Sequence, residues 1–402
     1  MRIVFFVHRY WPSVGGVEKY IHRLGQALQE MGHVVHVVAG VHADGLLPTE
    51  VHEGIKIHRY PAHRSPARAW WHLMRMRRLF LSDDVIHVSD TFVLEYYYRM
   101  VAWALPDKPV FLTRHGMSYR YPVPEREKER ARRSLTLVDG ILHDGCFIER
   151  HLGVAPDGVP DQGLYPETDS LPNIPEPPPD SATFVGRLEP DTGIQVYVNA
   201  IRLLRREHNL TITLNIYGDG SLKAPLQAQA VRENLPVIFH GWQPGAQERI
   251  TDGCFAFVAG RMAMQEAMAR RRLVVAACVD PLKRDYVNGE PFSPFLLSGG
   301  DAATVAELVA RYARDDQRRR ALIERAFEYA RTLSWKRTAL EYLKLWERAP
   351  RRPSRGRPWL AQARWAWAFA TEARHATRGE TREWFRRRFR TRSHEVQTAC
   401  GV

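Results

Sequence analysis

The sequence predicts an α/β protein made of two doubly wound domains that face one cleft. Its 402 residues are too many for one hydrophobic core, because cores stop growing at roughly 250 to 300 residues. Short apolar runs alternate with segments of helical periodicity, the pattern of strand–helix–strand units around a parallel sheet. The stretch from Leu171 to Asp180 contains five prolines and separates two such series. Because proline interrupts both helices and central strands, we interpret this stretch as the interdomain linker.

The first domain, residues 1–170, opens with a strand and a helix. Arg2 to His8 is an apolar run that predicts a buried strand. Val17 to Met31 has the apolar spacing of a helix, which Gly32 ends. Further strands are predicted at Val34–Ala39, Ile55–Arg59, Val85–Val88, Val110–Thr113 and Gly140–His143.

The second domain, residues 181–332, repeats the alternation. A helix is expected over residues 333–349, and residues 350–402 form a basic, aromatic-rich tail. The strands of this domain are predicted from Thr183 and at Thr211–Tyr217, Val237–His240, Cys254–Val258 and Leu273–Ala277.

The composition excludes several classes of protein. Apolar residues make up 45% and charged residues 26%, which excludes a disordered, fibrous or coiled-coil chain. The four cysteines are scattered, so neither a disulfide scaffold nor structural zinc is expected. No apolar run reaches the roughly 18 to 20 residues that span a bilayer, and Ile3 to Val7 is too short for a signal peptide. We therefore expect a protein of the reducing cytoplasm.

Most of the net positive charge lies in the tail. The chain carries +13, of which residues 351–402, with 13 arginines, no lysine and four glutamates, contribute +9. The body is nearly balanced and no nucleic-acid module accompanies the tail, so nucleic-acid binding is not expected. Trp359–Thr377 and Glu380–Arg392 are predicted helices that combine aromatic residues with arginines, the composition of interfacial helices.

We expect the tail to bind an anionic membrane surface, peripherally, on the inner face of the cell membrane. The segment Trp70–Leu79 of the first domain offers a second contact of similar composition. The alternative is that the tail aromatics pack on the body while the arginines stay solvated.

Motifs along both halves of the chain resemble one enzyme family. The second-half motifs are similar to V-G-R-L-x-x-E-K-G, V-G-D-G-P-L and L-E-A-M-A followed by P-V-V-A, and they occur in the family's order. The matching segments are Phe5–His8, Pro12–Glu18, Gly32–Val35, Phe184–Gly193, Tyr217–Leu222, Gln265–Ala269, Leu273–Ala276 and Leu333–Trp335. Over about residues 1–348 the chain thus resembles the family 4 glycosyltransferases of the GT-B fold, whose two Rossmann-like domains face an interdomain cleft.

Arg187 is predicted to bind the donor diphosphate and to act in catalysis. It follows a strand directly, at the carboxyl edge where α/β clefts bind ligands. A guanidinium suits phosphate oxygens, and positive charge there stabilises the departing diphosphate. The resemblance implies the same role. The alternative is a surface arginine that only ends a strand.

Gly260 to Glu266 is the second predicted donor-binding element, with Gly260, Arg261, Met262 and Glu266 as its site residues. Free N–H groups and the dipole at the start of a helix form an anion site. The resemblance implies that Glu266 accepts hydrogen bonds from the ribose hydroxyls. The alternative is an acidic residue that only stabilises a first helical turn.

Several positions depart from the family pattern. The glutamate expected eight residues before Glu266 is Val258, and the lysine of E-K-G is Thr192. Arg261 or Lys223 is a candidate to replace that missing cation. The family's N-G-x-D is replaced by Asp161–Tyr165.

The first domain should contribute donor and acceptor contacts. Gly15 and Gly16 leave space for a ligand against the backbone, or else form a tight turn. His115, at a predicted strand end, corresponds to a family histidine near the donor sugar and is our second catalytic candidate; a structural role is the alternative. Asp90 matches a weaker family position, and we interpret it as a structural residue. No D-x-D occurs in the chain, so we expect no metal and no cofactor.

These observations predict a hexosyltransferase that moves a sugar from a UDP- or GDP-linked donor to an envelope or exopolysaccharide acceptor. The acceptor is a glycan or a lipid-linked intermediate. The resemblance implies retention of configuration. Two alternatives stay open, a nucleotide-sugar epimerase and a catalytically silent scaffold that keeps the fold.

Overall fold

The structure is a computed structural model of the chain. It describes residues 1–13, 15–61, 66–89, 93, 94, 97, 108–116, 121–135, 137–164, 170, 171 and 174–348. It has two mainly parallel sheets flanked by helices, which confirms the predicted α/β class. No helix in this part of the chain is long and apolar enough to cross a bilayer. The predictions for Asp90, Tyr165, Pro172 and residues 350–402 lie outside the described residues.

The first sheet has seven strands in the order β3-β4-β2-β1-β5-β6-β7. Neighbours are parallel except for β3, which is antiparallel to β4. The central strand β1 is buried on both faces: Phe6 belongs to one core cluster and Phe5 to the other, as alternating side chains require. The strands are β1 Arg2–Val7, β2 Val34–Gly40, β3 Thr49–His52, β4 Ile55–Tyr60, β5 Val85–Val88, β6 Val110–Arg114 and β7 Gly140–His143.

Helices connect these strands. In the first, Gly15 is the N-cap and an apolar stripe that includes Ile21 and Leu24 is buried. Gly32, with a φ of 85°, follows its C-cap and ends it, because glycine adopts this conformation without strain. The helices are α1 Gly16–Glu30, α2 Pro66–Arg75, α3 Arg77–Ser82, α4 Glu125–Leu135 and α5 Phe147–Leu152.

The second sheet has six parallel strands in the order β10-β9-β8-β11-β12-β13. Its strands are β8 Ser181–Val185, β9 Thr213–Tyr217, β10 Val237–Gly241, β11 Phe255–Phe257, β12 Leu273–Ala277 and β13 Leu297–Gly299. The helices that follow are α6 Ile194–Glu207, α7 Lys223–Arg232, α8 Arg261–Ala269, α9 Pro281–Asn288, α10 Ala302–Arg314, α11 Asp316–Arg331 and α12 Trp335–Arg348.

Two edge strands, β3 and β13, were not predicted. The turn between β3 and β4 consists of Glu53 and Gly54, whose φ angles are 44° and 82°. Such two-residue turns usually contain Asn-Gly or Asp-Gly. The Glu-Gly pair is a weak signal, and the hairpin was therefore missed.

The helix α12 returns to the first domain and packs on it through a buried hydrogen-bond chain. Trp346 Nε1 donates to His87 Nδ1 at 3.1 Å, and His87 Nε2 lies 2.7 Å from Thr113 Oγ1. The chain continues to the Tyr342 hydroxyl at 2.8 Å, which donates to the Tyr20 hydroxyl at 3.2 Å. The last described helix therefore completes the core of the first domain.

Candidate functional site

The carboxyl ends of strands from both sheets face a cleft with two cavities. The large cavity has a volume of about 380 Å³ and the small cavity about 60 Å³. The large cavity lies between α1 with the β3–β4 hairpin on one side and α8 on the other. The small cavity lies between the ends of β6 and β7 and the start of α9. Both are formed jointly by the two domains, as expected for a two-domain ligand site.

Glu266 and Met262 project from α8 into the large cavity. Burial raises the pKa of Glu266, while Lys19 and Arg270 act in the opposite direction. Lys19 belongs to α1, so Glu266 faces the other domain. Gly260 is the N-cap of α8, and a Cβ there would meet nothing within 4 Å. The start of this helix therefore has space beside Gly260, although the Arg261 N–H already donates to the Tyr286 hydroxyl at 2.5 Å.

Three residues, 258 to 260, connect β11 to α8. Val258 is fully buried, and its carbonyl accepts a hydrogen bond from the Tyr197 hydroxyl at 2.9 Å. A buried valine that is bonded through its carbonyl thus stands where the family resemblance implies a glutamate.

Arg187 lies on a loop that packs closely against the glycine-rich segment after β9. Gly186 N–H donates to the Tyr217 carbonyl at 3.0 Å, and Leu188 N–H donates to the Asp219 carbonyl at 2.9 Å. A Cβ on Gly218 would lie 1.8 Å from the Gly186 carbonyl oxygen. Only glycine permits this approach. The motif after β9 therefore positions the loop that carries Arg187.

The side chain of Arg187 is 56% exposed and forms an ion pair with Asp191 Oδ2 at 2.7 Å. Thr192, at the position of the family lysine, is buried and donates to the Glu189 carbonyl at 2.7 Å. Lys223 pairs with Asp219 at 2.7 Å. Neither Thr192 nor Lys223 lines the small or the large cavity.

A second cation at the small cavity, Lys283, was missed in the sequence. The Asp280 carboxylate caps α9 by accepting from Lys283 N–H at 2.7 Å. The amine donates to the Ala259 carbonyl and lies 4.4 Å from the centre of the Tyr286 ring. Burial lowers the pKa of Lys283 to about 8, with Asp191 raising it and Arg187 lowering it. The detectable signal was a lysine in the first turn after β12, at the carboxyl edge of the sheet.

His115 lines the small cavity together with Asp144 and Lys283. Its side chain is buried, and its ring packs edge-on against Tyr20 with ring centres 4.7 Å apart. Nδ1 lies 3.8 Å from Asp144 Oδ2. Within the described ranges neither ring nitrogen has a hydrogen-bond partner. A buried imidazole that faces a cavity can therefore bond to a ligand there.

Arg261 has different surroundings from those predicted. Its side chain is 4% exposed and lies 3.3 Å from Glu290 Oε2 and 3.5 Å from Asp144 Oδ1. It also donates to the Asp144 carbonyl at 2.9 Å, and Glu290 accepts from Cys146 N–H at 3.0 Å. Asp144 and Cys146 belong to the first domain and the others to the second. We call these four residues the interdomain bridge.

Gly15 and Gly16 lie at the start of α1, beside the large cavity. A Cβ on Gly15 would lie 2.3 Å from a carboxylate oxygen of Glu18, whereas one on Gly16 would meet nothing within 4 Å. Glu18 lines the same cavity as Glu266 and Met262. The structure thus places the predicted residues Met262 and Glu266 at the large cavity and His115 at the small one. Arg187 is connected to the small cavity through Asp191.

Two family models match the chain. The model of Glycosyltransferase Family 4 matches residues 14–143, and that of Glycosyl transferases group 1 matches residues 179–315. Together they cover about two thirds of the chain. No curated protein matches it.

Solved structures with the same fold include sucrose-phosphate synthase from Thermosynechococcus elongatus, at 16% identity and a TM-score of 0.64, covering 86% of this chain and 98% of that one. HepE from Anabaena, in complex with UDP and glucose, has 16% identity and a TM-score of 0.63, covering 86% and 99%. A mutant of TarM from S. aureus, in complex with fondaparinux, alpha-GlcNAc-glycerol and UDP, has 10% identity and a TM-score of 0.66, covering 86% and 99%. At these identities the likeness shows the GT-B fold alone.

Proposed function

The chain belongs to the family 4 glycosyltransferases with the GT-B fold, and on this premise we propose that it transfers a hexosyl group from a UDP- or GDP-linked donor. The acceptor we propose is an envelope or exopolysaccharide intermediate, and the configuration at the transferred carbon is retained. The UDP complexes of HepE and TarM support a nucleotide-sugar donor, and the alpha-GlcNAc-glycerol bound to TarM supports a glycan-type acceptor.

The observation that carries this proposal is the joint arrangement of the large cavity. Glu266 and Met262 of α8 form one wall, and Glu18 and Lys19 of α1, close behind Gly15 and Gly16, form the other. A carboxylate accepts hydrogen bonds from ribose hydroxyls, and a helix start attracts phosphate. These are the two chemical features of a nucleoside diphosphate.

Departure of the diphosphate requires positive charge at the carboxyl edge of the second sheet. We assign this role to Arg187 and Lys283, because each lies near Asp191 and a ligand phosphate can take the place of that carboxylate. His115 reaches the small cavity from the other domain, where the donor sugar would lie. With two side-chain cations at this edge, the transfer needs no metal ion.

The test is to supply UDP- and GDP-sugars with and without a lipid-linked glycan acceptor. We expect release of nucleoside diphosphate only when acceptor is present, with a retained anomeric configuration in the product and full activity in EDTA. Conversion of the donor sugar without acceptor would identify an epimerase. Activity abolished by EDTA and restored by Mg²⁺ would refute metal-independent transfer.

A silent scaffold is the second candidate, favoured by one specific observation. Val258 and Thr192 are both buried where the family resemblance implies a glutamate and a lysine facing the donor. A scaffold of this kind would bind nucleotide without turnover, or would not bind it. Calorimetry with UDP and GDP, followed by the transfer assay, separates these outcomes from an active enzyme.

We also propose that the enzyme binds an anionic membrane surface. On α2 and α3 the side chains of Trp70, Trp71 and Leu81 are 38%, 48% and 40% exposed, and the Arg75 guanidinium lies 4.5 Å from the centre of the Trp71 ring. Exposed aromatic and basic groups together favour an interface. We expect salt-sensitive binding to anionic vesicles that falls on truncation after Ala349. Equal binding by the truncated protein would refute the role of the tail.

A further inference from the structure

Two histidines and a glutamate meet on the first-domain wall of the large cavity. His22 comes from α1, while His52 and Glu53 come from the β3–β4 hairpin. One ligand atom from each lies within 4.8 Å of the others. His22 Nε2 is 2.9 Å from Glu53 Oε2, and His52 Nε2 is 3.9 Å from Glu53 Oε1. We call these residues the histidine cluster.

Neighbouring side chains orient the cluster as they would orient metal ligands. The Tyr10 hydroxyl lies 2.8 Å from His22 Nδ1, so Nδ1–H can donate to it while the lone pair of Nε2 faces the cluster. Trp11 stacks on the His52 ring with centres 3.8 Å apart. Gln26 donates to Glu53 Oε2 at 2.8 Å. Histidine ligands in metal sites typically have such a partner on the second ring nitrogen.

The backbone conformation of Glu53 is a further observation on the histidine cluster. Its φ of 44° lies in the left-handed region, where residues other than glycine, asparagine and aspartate are uncommon. An asparagine or aspartate would adopt this turn more readily, but its shorter side chain would reach less far toward His22. The strained position thus aims a long carboxylate at two imidazoles.

We propose that His22, His52 and Glu53 bind one divalent transition-metal ion of the zinc class. Two imidazoles and one carboxylate favour Zn²⁺ or Co²⁺ over Mg²⁺ and Ca²⁺, which prefer oxygen ligands. Three protein ligands leave a fourth position open, and all three residues line the large cavity. The bound ion fixes the hairpin to α1 and presents its open position to the cleft.

This site shares the large cavity with the proposed nucleotide but is separate from Arg187 and Lys283, the cations to which we assign the departing diphosphate. The sequence expectation of no metal rested on the absence of D-x-D, a motif that serves the diphosphate. The histidine cluster lines the large cavity, whereas Lys283 and Asp191 line the small one. Metal binding is therefore measured without donor, and its failure would leave the proposed transferase function unaffected.

The test uses untagged full-length protein, stripped with chelator and titrated with Co²⁺, Zn²⁺ and Mg²⁺. We expect one Co²⁺ per chain with a visible absorption band of a four- or five-coordinate ion, displacement by Zn²⁺, and no response to Mg²⁺. His22→Ala, His52→Ala and Glu53→Gln should each weaken Co²⁺ binding by at least about tenfold, and Tyr10→Phe by about tenfold.

Two controls make the result specific. His36 and His58, whose ring centres lie 5.3 Å apart, form a histidine pair outside the cluster, so His58→Ala should leave Co²⁺ affinity unchanged. Arg23 Nη1 lies 3.7 Å from Glu53 Oε2, so Arg23→Gln should tighten binding by removing a competing cation. Wild-type Co²⁺ affinity in His52→Ala, equal loss in His58→Ala, or no Co²⁺ band in the intact protein would overturn the proposal.

Discussion

The interdomain bridge around Arg261 and the loop around Arg187, residues 186 to 193, both bring an arginine to the cleft, yet the two guanidinium groups have opposite environments. Arg261 is 4% exposed and lies within 4 Å of carboxylate oxygens from Asp144, Asp161 and Glu290. Arg187 is 56% exposed and, among the residues that the structure describes, pairs only with Asp191. The first is already neutralised by the protein, and the second is neutralised only in part.

This difference shows which cation a ligand can recruit. A phosphate that bound Arg261 would have to replace three carboxylates, of which Glu290 is only 1% exposed and would then remain desolvated without a partner. A phosphate that bound Arg187 would displace one carboxylate on a loop where water can solvate it. We therefore assign Arg261 to joining the domains through its side chain and Arg187 to the donor.

The strongest test of this contrast compares the free energies of unfolding of variants at the two arginines. Arg261→Met should lower the free energy of unfolding by about 3 to 5 kcal/mol, because the buried Glu290 and the half-buried Asp144 would lose their cation. Arg187→Ala should change it by less than about 0.5 kcal/mol, since exposed pairs contribute little. Urea unfolding followed by circular dichroism measures both.

Arg261→Met combined with Glu290→Leu should recover part of the loss, because removing both partners leaves fewer unpaired buried groups. If Arg261→Met is as stable as the wild type and loses nucleotide affinity instead, the two arginines must exchange roles.

The second largest expected effect is on the turnover of a variant at His115, which lines the small cavity from the first domain. His115→Ala should reduce kcat by about a hundredfold if the imidazole bonds to the reacting sugar, since one lost transition-state hydrogen bond has an effect of this size. Donor affinity should change by less than about threefold. Steady-state kinetics and calorimetry separate the two quantities. Full turnover in His115→Ala would make the residue structural, held by Tyr20.

Nucleotide affinity distinguishes the donor residues from the bridge. Glu266→Ala and Arg187→Ala should each weaken UDP or GDP binding by roughly tenfold to a hundredfold, because a hydrogen bond to a charged group contributes about 1.5 to 3 kcal/mol. Lys223→Ala is the matched control, since Lys223 pairs with Asp219 and lines neither cavity. Unchanged affinity in both donor variants would move the nucleotide to another site.

The fold was largely predictable because buried parallel strands give strong local signals. Ten of the predicted strands agree with observed ones to within about two residues at either end, as short apolar runs such as Val85–Val88 and Leu273–Ala277 show. The missed strands are edge strands, where one side is unpaired and the apolar signal is weak. The return of α12 to the first domain depends on contacts between Tyr342 and Tyr20, more than three hundred residues apart, which no local pattern records.

The site was predictable only where a motif determines backbone position. The glycines after β9 indicate a close approach, and the structure places Gly218 against Gly186. Side-chain partnerships were not predictable: Arg261 finds Glu290 and Asp144 because the two domains meet there. Lys283 was missed for the same reason, since its relevance depends on Ala259 and Asp191, which are distant in sequence.

The smallest expected effect is on the pH dependence of UDP affinity, which depends on Lys283. It is also the most selective test of which cations a ligand phosphate can bind. Burial lowers the pKa of its amine to about 8, so the amine is charged at pH 7 and loses its proton as the pH rises through that value. A diphosphate binds the charged form, and UDP affinity should therefore fall by about tenfold at one pH unit above the pKa. Lys283→Arg should remove this slope because arginine keeps its charge. Titration of the uracil base is common to both proteins, so the difference between their pH profiles isolates the amine. Parallel profiles for the wild type and Lys283→Arg would exclude Lys283 from the donor site and leave Arg187 as the cation that a diphosphate recruits there.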